Sequence, residues 1–188
     1  MPAPRILIVY GTTYGQTAKI AERMAEHLMS WGHVVVLASA DRVSHQITPD
    51  QFDGVIAGGS VIRGRHQRSI LRFVRLHRES LNAMPSAFFS VSGSASSGTD
   101  AGRAEARGYL DEFLSQTGWH PELTATLAGA MAYTRYGPLT RWIIKRIAAK
   151  RGGPTDTSRD HEATDWAEVK RFARAVGAAV RERERVPV

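Results

Sequence analysis

The chain has 188 residues, enough for one globular domain, and its 43% hydrophobic and 23% charged residues exclude disordered, collagen-like and low-complexity architectures. Its 25 Lys plus Arg exceed its 18 Asp plus Glu, and the formal net charge of +7 attracts anionic partners. The absence of cysteine excludes disulfides, thiol catalysis, iron–sulfur clusters and cysteine-ligated zinc. Redox chemistry would therefore require an organic cofactor or a metal site without thiolates.

The N-terminal residues do not have the layout of a signal peptide. No stretch approaches the roughly 18 consecutive apolar residues that a membrane-spanning helix needs. A chain without cysteine also suits a reducing compartment. We therefore expect a cytoplasmic protein.

Apolar strands alternate with amphipathic helices along the chain. Residues 5–10 form a nearly continuous apolar run, which is typical of a parallel strand covered on both faces. The hydrophobic pattern predicts four more strands, at residues 33–38, 54–58, 85–91 and 123–130. Helical periodicity is found at residues 17–31, 70–81, 110–114 and 165–180.

This alternation predicts an α/β fold, a doubly wound five-stranded parallel sheet with helices on both faces and right-handed crossovers. Residues 1–188 are expected to form a single domain. Residues 135–163 belong to none of the five strands or their connecting helices, and we interpret them as an insertion.

Two segments hold the excess of basic residues, and neither contains an acidic residue. Residues 63–78 contain six arginines, and residues 135–151 contain six lysines and arginines. Such segments attract polyanions, anionic lipid surfaces or carboxylate-bearing substrates. No aromatic-interleaved basic platform accompanies them, so we predict no nucleic-acid partner.

The loop after the first strand is the strongest candidate site, because open parallel sheets bind ligands beyond the carboxyl ends of their strands. It leads directly into a helix and offers free N–H groups, the helix dipole and three threonine hydroxyls, a set suited to phosphate. It lacks lysine, the ending of an NTP-binding P-loop and the G-x-G-x-x-G fingerprint, so neutral donors are expected to hold the phosphate. Its residues are Thr12, Thr13, Tyr14, Gly15, Gln16 and Thr17. The alternative is an ordinary capped turn between strand and helix.

Residues 12–17, placed after a first strand, resemble the flavin mononucleotide (FMN) phosphate loop of flavodoxins. Further segments resemble the bacterial flavodoxin-like protoporphyrinogen oxidases, the quinone-dependent dehydrogenases of haem biosynthesis. These segments are residues 59–66, 82–91, 128–136, 152–157 and 164–166. The resemblance extends from residue 5 to about residue 178 and implies a flavodoxin-like fold with FMN as the cofactor.

For the cofactor, the resemblance implies contacts from loops after three strands. Beyond the first loop, the implied residues are Ser60, Val61, Arg63, Ser92, Gly93 and Ser94. Neither residues 60–67 nor residues 92–100 contain Phe, Tyr or Trp, whereas electron-carrier flavodoxins usually stack aromatic side chains on the flavin. An uncovered ring can accept a planar reactant, which favours an enzyme over an electron carrier.

Arg63 and Arg65 begin the first basic segment beside the predicted flavin ring. Guanidinium groups bind carboxylates through paired hydrogen bonds, so both are expected to bind the propionates of a tetrapyrrole. His66 is expected to donate a hydrogen bond to flavin or substrate, and Tyr133 to form a wall of the substrate site. Along the following helix, the arginines are instead expected to form a solvated face. They are Arg68, Arg72, Arg75 and Arg78. For Tyr133 the alternative is ordinary packing. The remaining histidines, among them His45, show no metal-ligand spacing, so no metal is predicted.

Residues 139–150 are predicted to form a basic amphipathic helix within the insertion. Its apolar stripe consists of Leu139, Ile143, Ile144, Ile147 and Ala148, with Arg141 and Lys145 opposite, Arg146 and Lys150 flanking and Trp142 near the edge. Basic residues, a tryptophan and an apolar stripe are typical of a helix lying on an anionic membrane. The alternative is packing on the domain or on a second subunit of a homo-oligomer.

These features predict an FMN-dependent enzyme that oxidises protoporphyrinogen IX to protoporphyrin IX and passes the electrons to a respiratory quinone. It would lie peripherally on the inner, cytoplasmic face of the cell membrane. A second hypothesis is a flavodoxin-like FMN electron carrier or quinone reductase that acts with a protein partner. We identify no residue as a catalytic acid or base.

Overall fold

The computed structural model describes residues 2–43, 46–150 and 152–185, with backbone alone for residues 184 and 185. His45 and Arg151, which ends the second basic segment, lie outside the described residues. The strands are β1 Arg5–Gly11, β2 Val34–Ser39, β3 Gly54–Ile62, β4 Arg65–His66, β5 Ser86–Ser92, β6 Leu123–Ala128, β7 Ala130–Met131 and β8 His161–Glu162. The α-helices are α1 Gln16–Ser30, α2 Arg68–Leu76, α3 Arg78–Ala83, α4 Asp100–Thr117, α5 Pro138–Lys150 and α6 Trp166–Arg185.

The central sheet contains five parallel strands in the order β2, β1, β3, β5 and β6. Val9 of β1 lies between Ala38 of β2 and Ala57 of β3. The strand order reverses at β1, because the chain adds β2 on one side of this strand and β3 on the other. The predicted doubly wound, five-stranded parallel sheet is confirmed.

Alternate side chains of the central strands enter two separate hydrophobic layers. Ile6 and Ile8 of β1 pack with α1 and α6, whereas Leu7 and Val9 pack on the opposite face with α2 and α4. All four side chains are completely buried, which explains the continuous apolar run of this strand.

The structure adds local elements that the hydrophobic pattern did not predict. β3 continues to Ile62 and folds back as the antiparallel β3–β4 hairpin. The helical pattern at residues 70–81 is divided between α2 and α3, because the backbone of His77 leaves the helical conformation. β7, which precedes the insertion, pairs antiparallel with β8 at the end of the insertion, and the two strands enclose α5 in sequence.

Candidate functional site

Three loops meet at the carboxyl edge of the parallel sheet, next to the point where the strand order reverses. They are the 12–17 loop after β1, the β3–β4 hairpin and the 92–98 loop after β5. Gly11 pairs in register with Gly59, which in turn pairs with Ser90. The ends of the three strands are therefore neighbours, at the edge where doubly wound sheets bind ligands.

The 12–17 loop turns sharply into α1. Gly15 adopts a left-handed conformation with φ of 93°, and its N–H donates to Thr12 Oγ1 over 3.0 Å. Within the part of the chain that the structure describes, no side chain caps the N-terminus of α1, and its first turn holds no acidic residue. The free N–H groups and the positive end of the helix dipole are therefore available to an anion.

Thr17 carries a polar atom that no other described residue satisfies. Its side chain is completely buried in the first turn of α1, and its Oγ1 has no hydrogen-bond partner among the described residues. A buried hydroxyl in this state costs about 1–3 kcal/mol, so such groups are rare in native folds. A phosphate oxygen would accept this hydrogen bond, and the donors of the 12–17 loop therefore fit a phosphate ester.

Gln67 connects the 12–17 loop with the end of β3. Its Nε2 donates to Thr13 Oγ1 over 3.0 Å and also to Ser60 Oγ. Its Oε1 is buried without a hydrogen-bond partner among the described residues, close to Gly11 and Gly59. A Cβ at Gly11 would lie 3.1 Å from this oxygen, so glycine makes room for the amide. The sequence did not indicate Gln67, because a single glutamine in an arginine-rich segment forms no local pattern.

The β3–β4 hairpin presents Arg63 and Arg65 at the sheet edge. Arg63 and Gly64 form its two-residue turn, and both have positive φ angles, of 52° and 78°. This combination is typical of a type I′ turn, which favours Gly and Asn, so the backbone of Arg63 is strained by about 1 kcal/mol. Both arginine side chains are exposed. The hairpin thus places two guanidinium groups close together in sequence and open to solvent.

His66 lies in β4 opposite Val61 and faces the interior of the fold. Its Nε2 is 2.9 Å from Ser90 Oγ, and its ring packs against Phe88 and Phe113. Burial lowers the pKa of His66 to about 4, so the side chain is neutral at pH 7. His66 therefore fastens the hairpin to β5 through Nε2, and the predicted hydrogen bond to flavin or substrate would have to use Nδ1.

The 92–98 loop packs against α4. Ser94 Oγ donates to Glu105 Oε2 over 2.7 Å, so this predicted cofactor residue makes a contact within the protein. Ser92 is buried at the end of β5. A Cβ at Gly93 would meet nothing within 4 Å. Of the three predicted cofactor residues in this loop, Gly93 thus leaves the most open space.

Helix α4 also brings an aromatic side chain to the hairpin. The Tyr109 hydroxyl donates to Glu105 Oε1 over 2.7 Å. A Cβ built on Gly64 would lie 3.6 Å from the Tyr109 ring. Glu105 and Tyr109 therefore join the 92–98 loop to the β3–β4 hairpin, a connection that no local pattern indicated.

Tyr133 is completely buried, and its hydroxyl donates to the carbonyl of Pro154 over 2.8 Å. Its ring packs edge-on against Tyr136, which contacts Tyr14 of the 12–17 loop with ring centroids 4.7 Å apart. Tyr133 thus supports the 12–17 loop through Tyr136 and exposes no surface to a substrate. The predicted substrate contact at Tyr133 is corrected to the packing alternative, because the insertion folds over this side chain.

The insertion also brings a cation to the 12–17 loop. Arg135 Nη1 donates to the carbonyl oxygen of Tyr14. The same nitrogen would lie 2.7 Å from a Cβ built on Gly15, so glycine permits its close approach. The sequence indicated only neutral groups at this loop, because Arg135 follows Tyr14 by 121 residues and joins it only in the folded chain.

Two further contacts connect α1 with the end of the insertion and with Thr164, the residue that follows it. The side-chain amide of Gln16 donates to Thr164 Oγ1 over 2.8 Å, and this hydroxyl donates to the carbonyl of Ala128. Lys19 forms an ion pair with Glu162 of β8. The Gln16 side chain is therefore directed toward the insertion, and its backbone N–H belongs to the free donors at the start of α1.

Helix α5 is present as predicted, but its faces are arranged differently. Ile144 and Ala148 turn inward, and Arg141 lies on the same inward side. The Arg141 guanidinium donates to the carbonyls of Tyr133 and Tyr136 over 3.0 and 3.2 Å. The predicted stripe is therefore divided, and Arg141 is not opposite it, because these two carbonyls accept its N–H groups.

The outer surface of α5 remains uncovered. We define the α5 outer face as the exposed residues Leu139, Trp142, Ile143, Lys145, Arg146, Ile147 and Lys150. The Arg146 guanidinium lies over the Trp142 ring, 5.1 Å from its centroid. This face combines apolar and basic side chains. In the described ranges no helix is long and apolar enough to cross a bilayer.

The donors gathered at the sheet edge are hydroxyls, amides, backbone N–H groups and guanidinium groups. They suit an organic ligand with a phosphate and ring carbonyls. Within the described part of the chain, no group of three or more His, Asp or Glu side chains could hold a metal ion.

Residues 7–158 match a family model described as a flavodoxin domain. The chain belongs to the flavodoxin-domain family. A curated relative from Escherichia coli K12, named protoporphyrinogen IX dehydrogenase (quinone), is 34% identical over 172 residues that cover 92% of this chain and 94% of the relative. A Leishmania major protein of the same name is 34% identical over 171 residues that cover 91% of this chain and 74% of the relative. The predicted family resemblance is confirmed.

Among solved structures, flavodoxin 1 from Bacillus cereus has a TM-score of 0.55 to this chain at 16% identity, covering 93% of this chain and 97% of its own. This likeness shows the fold and confirms the flavodoxin-like expectation. The predicted enzyme class, a flavin oxidoreductase, is also confirmed. The flavodoxin domain supports a flavin as the cofactor.

Proposed function

We propose that the 12–17 loop binds the phosphate of FMN. The buried Thr17 Oγ1, which has no partner among the described residues, carries this proposal, because a phosphate oxygen would satisfy it. The uncapped N-terminus of α1 supplies further N–H donors. The loop lacks the G-x-G-x-x-G pattern of dinucleotide sites, so a mononucleotide is the favoured cofactor.

We propose that the flavin ring lies between the β3–β4 hairpin and the 92–98 loop. Ser60, Val61 and Gly93 come from the two strand ends beside the 12–17 loop. Gln67 holds Ser60 and Thr13 at fixed separation, so the strand end and the phosphate site are positioned together. The bound flavin would supply the two-electron redox chemistry, and the protein would position it.

We propose that the enzyme oxidises protoporphyrinogen IX and passes the electrons to a quinone. Two curated relatives with 34% identity carry this substrate and acceptor in their names. Arg63 and Arg65 would bind the substrate carboxylates at the open side of the flavin. The neutral, buried His66 would hold the hairpin in place, since its Nε2 contacts Ser90 on the adjacent strand.

We propose that the α5 outer face docks the enzyme on the inner face of the cell membrane. Leu139 and Ile143 supply apolar surface, and Lys145 and Arg146 supply positive charge. Each base near an anionic surface contributes about 1 kcal/mol. Trp142, which is 56% exposed, is of the residue type enriched at membrane–water interfaces. Docking would bring the flavin site to the bilayer that dissolves quinones and porphyrinogens.

The assignment of Arg63 and Arg65 is tested by steady-state kinetics of Arg63→Gln and Arg65→Gln. We expect each change to raise the KM for protoporphyrinogen IX about tenfold, because a charged hydrogen bond to a carboxylate is lost. The KM for a neutral quinone should stay unchanged. Arg72→Gln is the matched control, since Arg72 is exposed one turn into α2 and is not part of the hairpin.

Equal changes in both KM values would contradict carboxylate recognition and indicate general damage to the hairpin. A KM increase in Arg72→Gln of the same size would indicate that the whole arginine surface acts through its long-range field. Only a selective effect at the hairpin supports the proposed contact.

A further inference from the structure

We infer that Arg135, from the insertion, gives the phosphate of the bound flavin a cationic contact and so selects the phosphorylated flavin over the uncharged one. The inference rests on the proposed FMN site. It adds to the 12–17 loop a binding residue that lies outside every segment resembling a phosphate loop.

The guanidinium of Arg135 lies close to the backbone of the 12–17 loop, at Tyr14 and Gly15. Its Nη1 donates to the Tyr14 carbonyl and occupies space that a side chain at Gly15 would fill, 2.7 Å from a built Cβ. Gly15 directly precedes α1. The guanidinium is therefore beside the uncapped helix turn in which the Thr17 hydroxyl is left without a partner among the described residues.

In the part of the chain that the structure describes, the charge of Arg135 is not neutralised by a direct ion pair. Asp160 acts on it electrostatically but accepts hydrogen bonds from the N–H and hydroxyl of Thr134. The first turn of α1 has no acidic residue. The positive charge thus remains available to an anion at the loop.

The insertion also fixes the backbone from which Arg135 projects. Arg135 ends a short 3-10 turn, and its N–H donates to the Ala132 carbonyl over 2.9 Å. The next residue, Tyr136, packs its ring against Tyr14. A guanidinium held in this way loses little conformational freedom when it contacts an anion.

The alternative role for Arg135 is a mechanical one, in which its bond to the Tyr14 carbonyl only fastens the insertion to the loop. Loss of such a fastening would weaken the binding of every flavin, because the loop itself would be less ordered. Loss of a phosphate contact would weaken only the binding of a phosphorylated flavin. Riboflavin, which has the same ring and no phosphate, therefore separates the two roles.

The test is titration of the flavin-free protein with FMN and with riboflavin, followed by quenching of flavin fluorescence. We expect Arg135→Gln to weaken FMN binding about tenfold, as for loss of one charged hydrogen bond, and to leave the Kd for riboflavin unchanged. Arg174→Gln is the matched control, because Arg174 is exposed on α6 and its loss changes the net charge equally. It should alter neither Kd.

The salt dependence of FMN binding gives a second measurement that does not require riboflavin to bind tightly. Exposed charge contacts weaken as ionic strength rises. The Kd for FMN should therefore rise with salt in the unmodified protein and rise less steeply in Arg135→Gln. An arginine that only fastens the insertion would leave the two slopes equal.

Three results would overturn the inference: unchanged FMN affinity in Arg135→Gln, equal weakening of both flavins, or equal salt slopes. A different result would overturn the FMN site itself. If the unmodified protein binds neither FMN nor riboflavin, the proposed cofactor is wrong before Arg135 is considered.

Discussion

Thr17 is the residue on which the proposed phosphate site most depends. Its hydroxyl is buried in the first turn of α1 and has no hydrogen-bond partner among the described residues. A buried hydroxyl without a partner lowers the stability of the folded chain, and such groups are rare in native folds. In the proposed site, the phosphate of the flavin would satisfy this hydroxyl.

Thr17→Val should raise the stability of the flavin-free protein and weaken FMN binding, because valine has nearly the same shape and no hydroxyl. We expect the flavin-free variant to be more stable to urea by about 1 kcal/mol, since an unsatisfied buried group is removed. We expect its affinity for FMN to fall ten- to a hundredfold, roughly the worth of one hydrogen bond to a charged group. Urea unfolding and fluorescence titration measure the two effects.

Thr117→Val provides the control, because Thr117 is also buried but its hydroxyl donates to the Phe113 carbonyl over 2.9 Å. This change should lower the stability by about 1 kcal/mol and leave FMN affinity intact. Unchanged FMN affinity in Thr17→Val would place the phosphate elsewhere.

His66 predicts a dependence of stability on pH. Burial lowers the pKa of folded His66 to about 4, whereas the unfolded chain titrates near 6.5. Between these values only the unfolded state binds the proton, so the stability falls as the pH falls from 6.5 to 4, by up to about 3 kcal/mol. His66→Gln should show a smaller loss over this range in urea unfolding. Parallel pH profiles for the two proteins would contradict the buried, neutral histidine.

At the scale of elements, the sheet was predictable because strands covered on both faces must be apolar at every position. Ile6 to Val9 enter two different hydrophobic layers, and this requirement is visible in the sequence. The β3–β4 hairpin was not predictable, because its turn places an arginine in a left-handed conformation that arginine rarely adopts. The Arg63–Gly64 pair therefore does not resemble the Asn-Gly signal of such turns.

Helix α5 was predicted from the spacing of its apolar residues, but the orientation of its faces was not. The spacing alone could not tell which side faces the protein. Arg141 turns inward because two carbonyls of the preceding turn accept its N–H groups. Leu139 and Ile143 consequently remain at the surface, although they are apolar.

The α5 outer face should bind vesicles that contain anionic lipids, and the binding should weaken with salt. Lys145→Glu together with Arg146→Glu should lower the membrane partition coefficient at least about thirtyfold. Two basic side chains, each contributing about 1 kcal/mol near an anionic surface, are lost. FMN content should stay unchanged, because the flavin loops lie elsewhere. Co-sedimentation with vesicles measures both quantities.

Reversal of two exposed charges on α6, Lys170→Glu with Arg174→Glu, is the control for net charge and should have a smaller effect. A protein that ignores anionic vesicles and forms a dimer through α5 would contradict membrane docking. The apolar residues of this face would then belong to a subunit contact.

At the scale of the whole molecule, the site is assembled from segments that are far apart in sequence. The loops after β1 and β3 could be placed at one sheet edge from the sequence, because strand ends follow from the order of elements, although the hairpin that carries Arg63 and Arg65 could not. The positions of Arg135 and Tyr109 could not be predicted either, since only the folded insertion and α4 bring them to those loops. Tyr133 was misplaced for the same reason, because the insertion buries it.

The two basic segments occupy separate places in the folded chain. One begins at the hairpin beside the proposed flavin ring, and the other extends from the 12–17 loop along α5. We therefore propose different partners for them: substrate carboxylates and the cofactor phosphate at the sheet edge, and anionic lipid on α5. A redox enzyme that acts on bilayer-associated molecules accounts for both segments.

The central claim is tested most directly by anaerobic turnover of the purified, FMN-loaded protein with protoporphyrinogen IX and a respiratory quinone analogue. The account predicts protoporphyrin fluorescence that grows only when protein and quinone are both present, with one quinone reduced per pair of electrons removed. The FMN-free protein should be inactive until FMN is added. FMN-loaded protein that yields no quinone-dependent porphyrin, yet exchanges electrons with a redox protein, would contradict the account and favour an electron carrier.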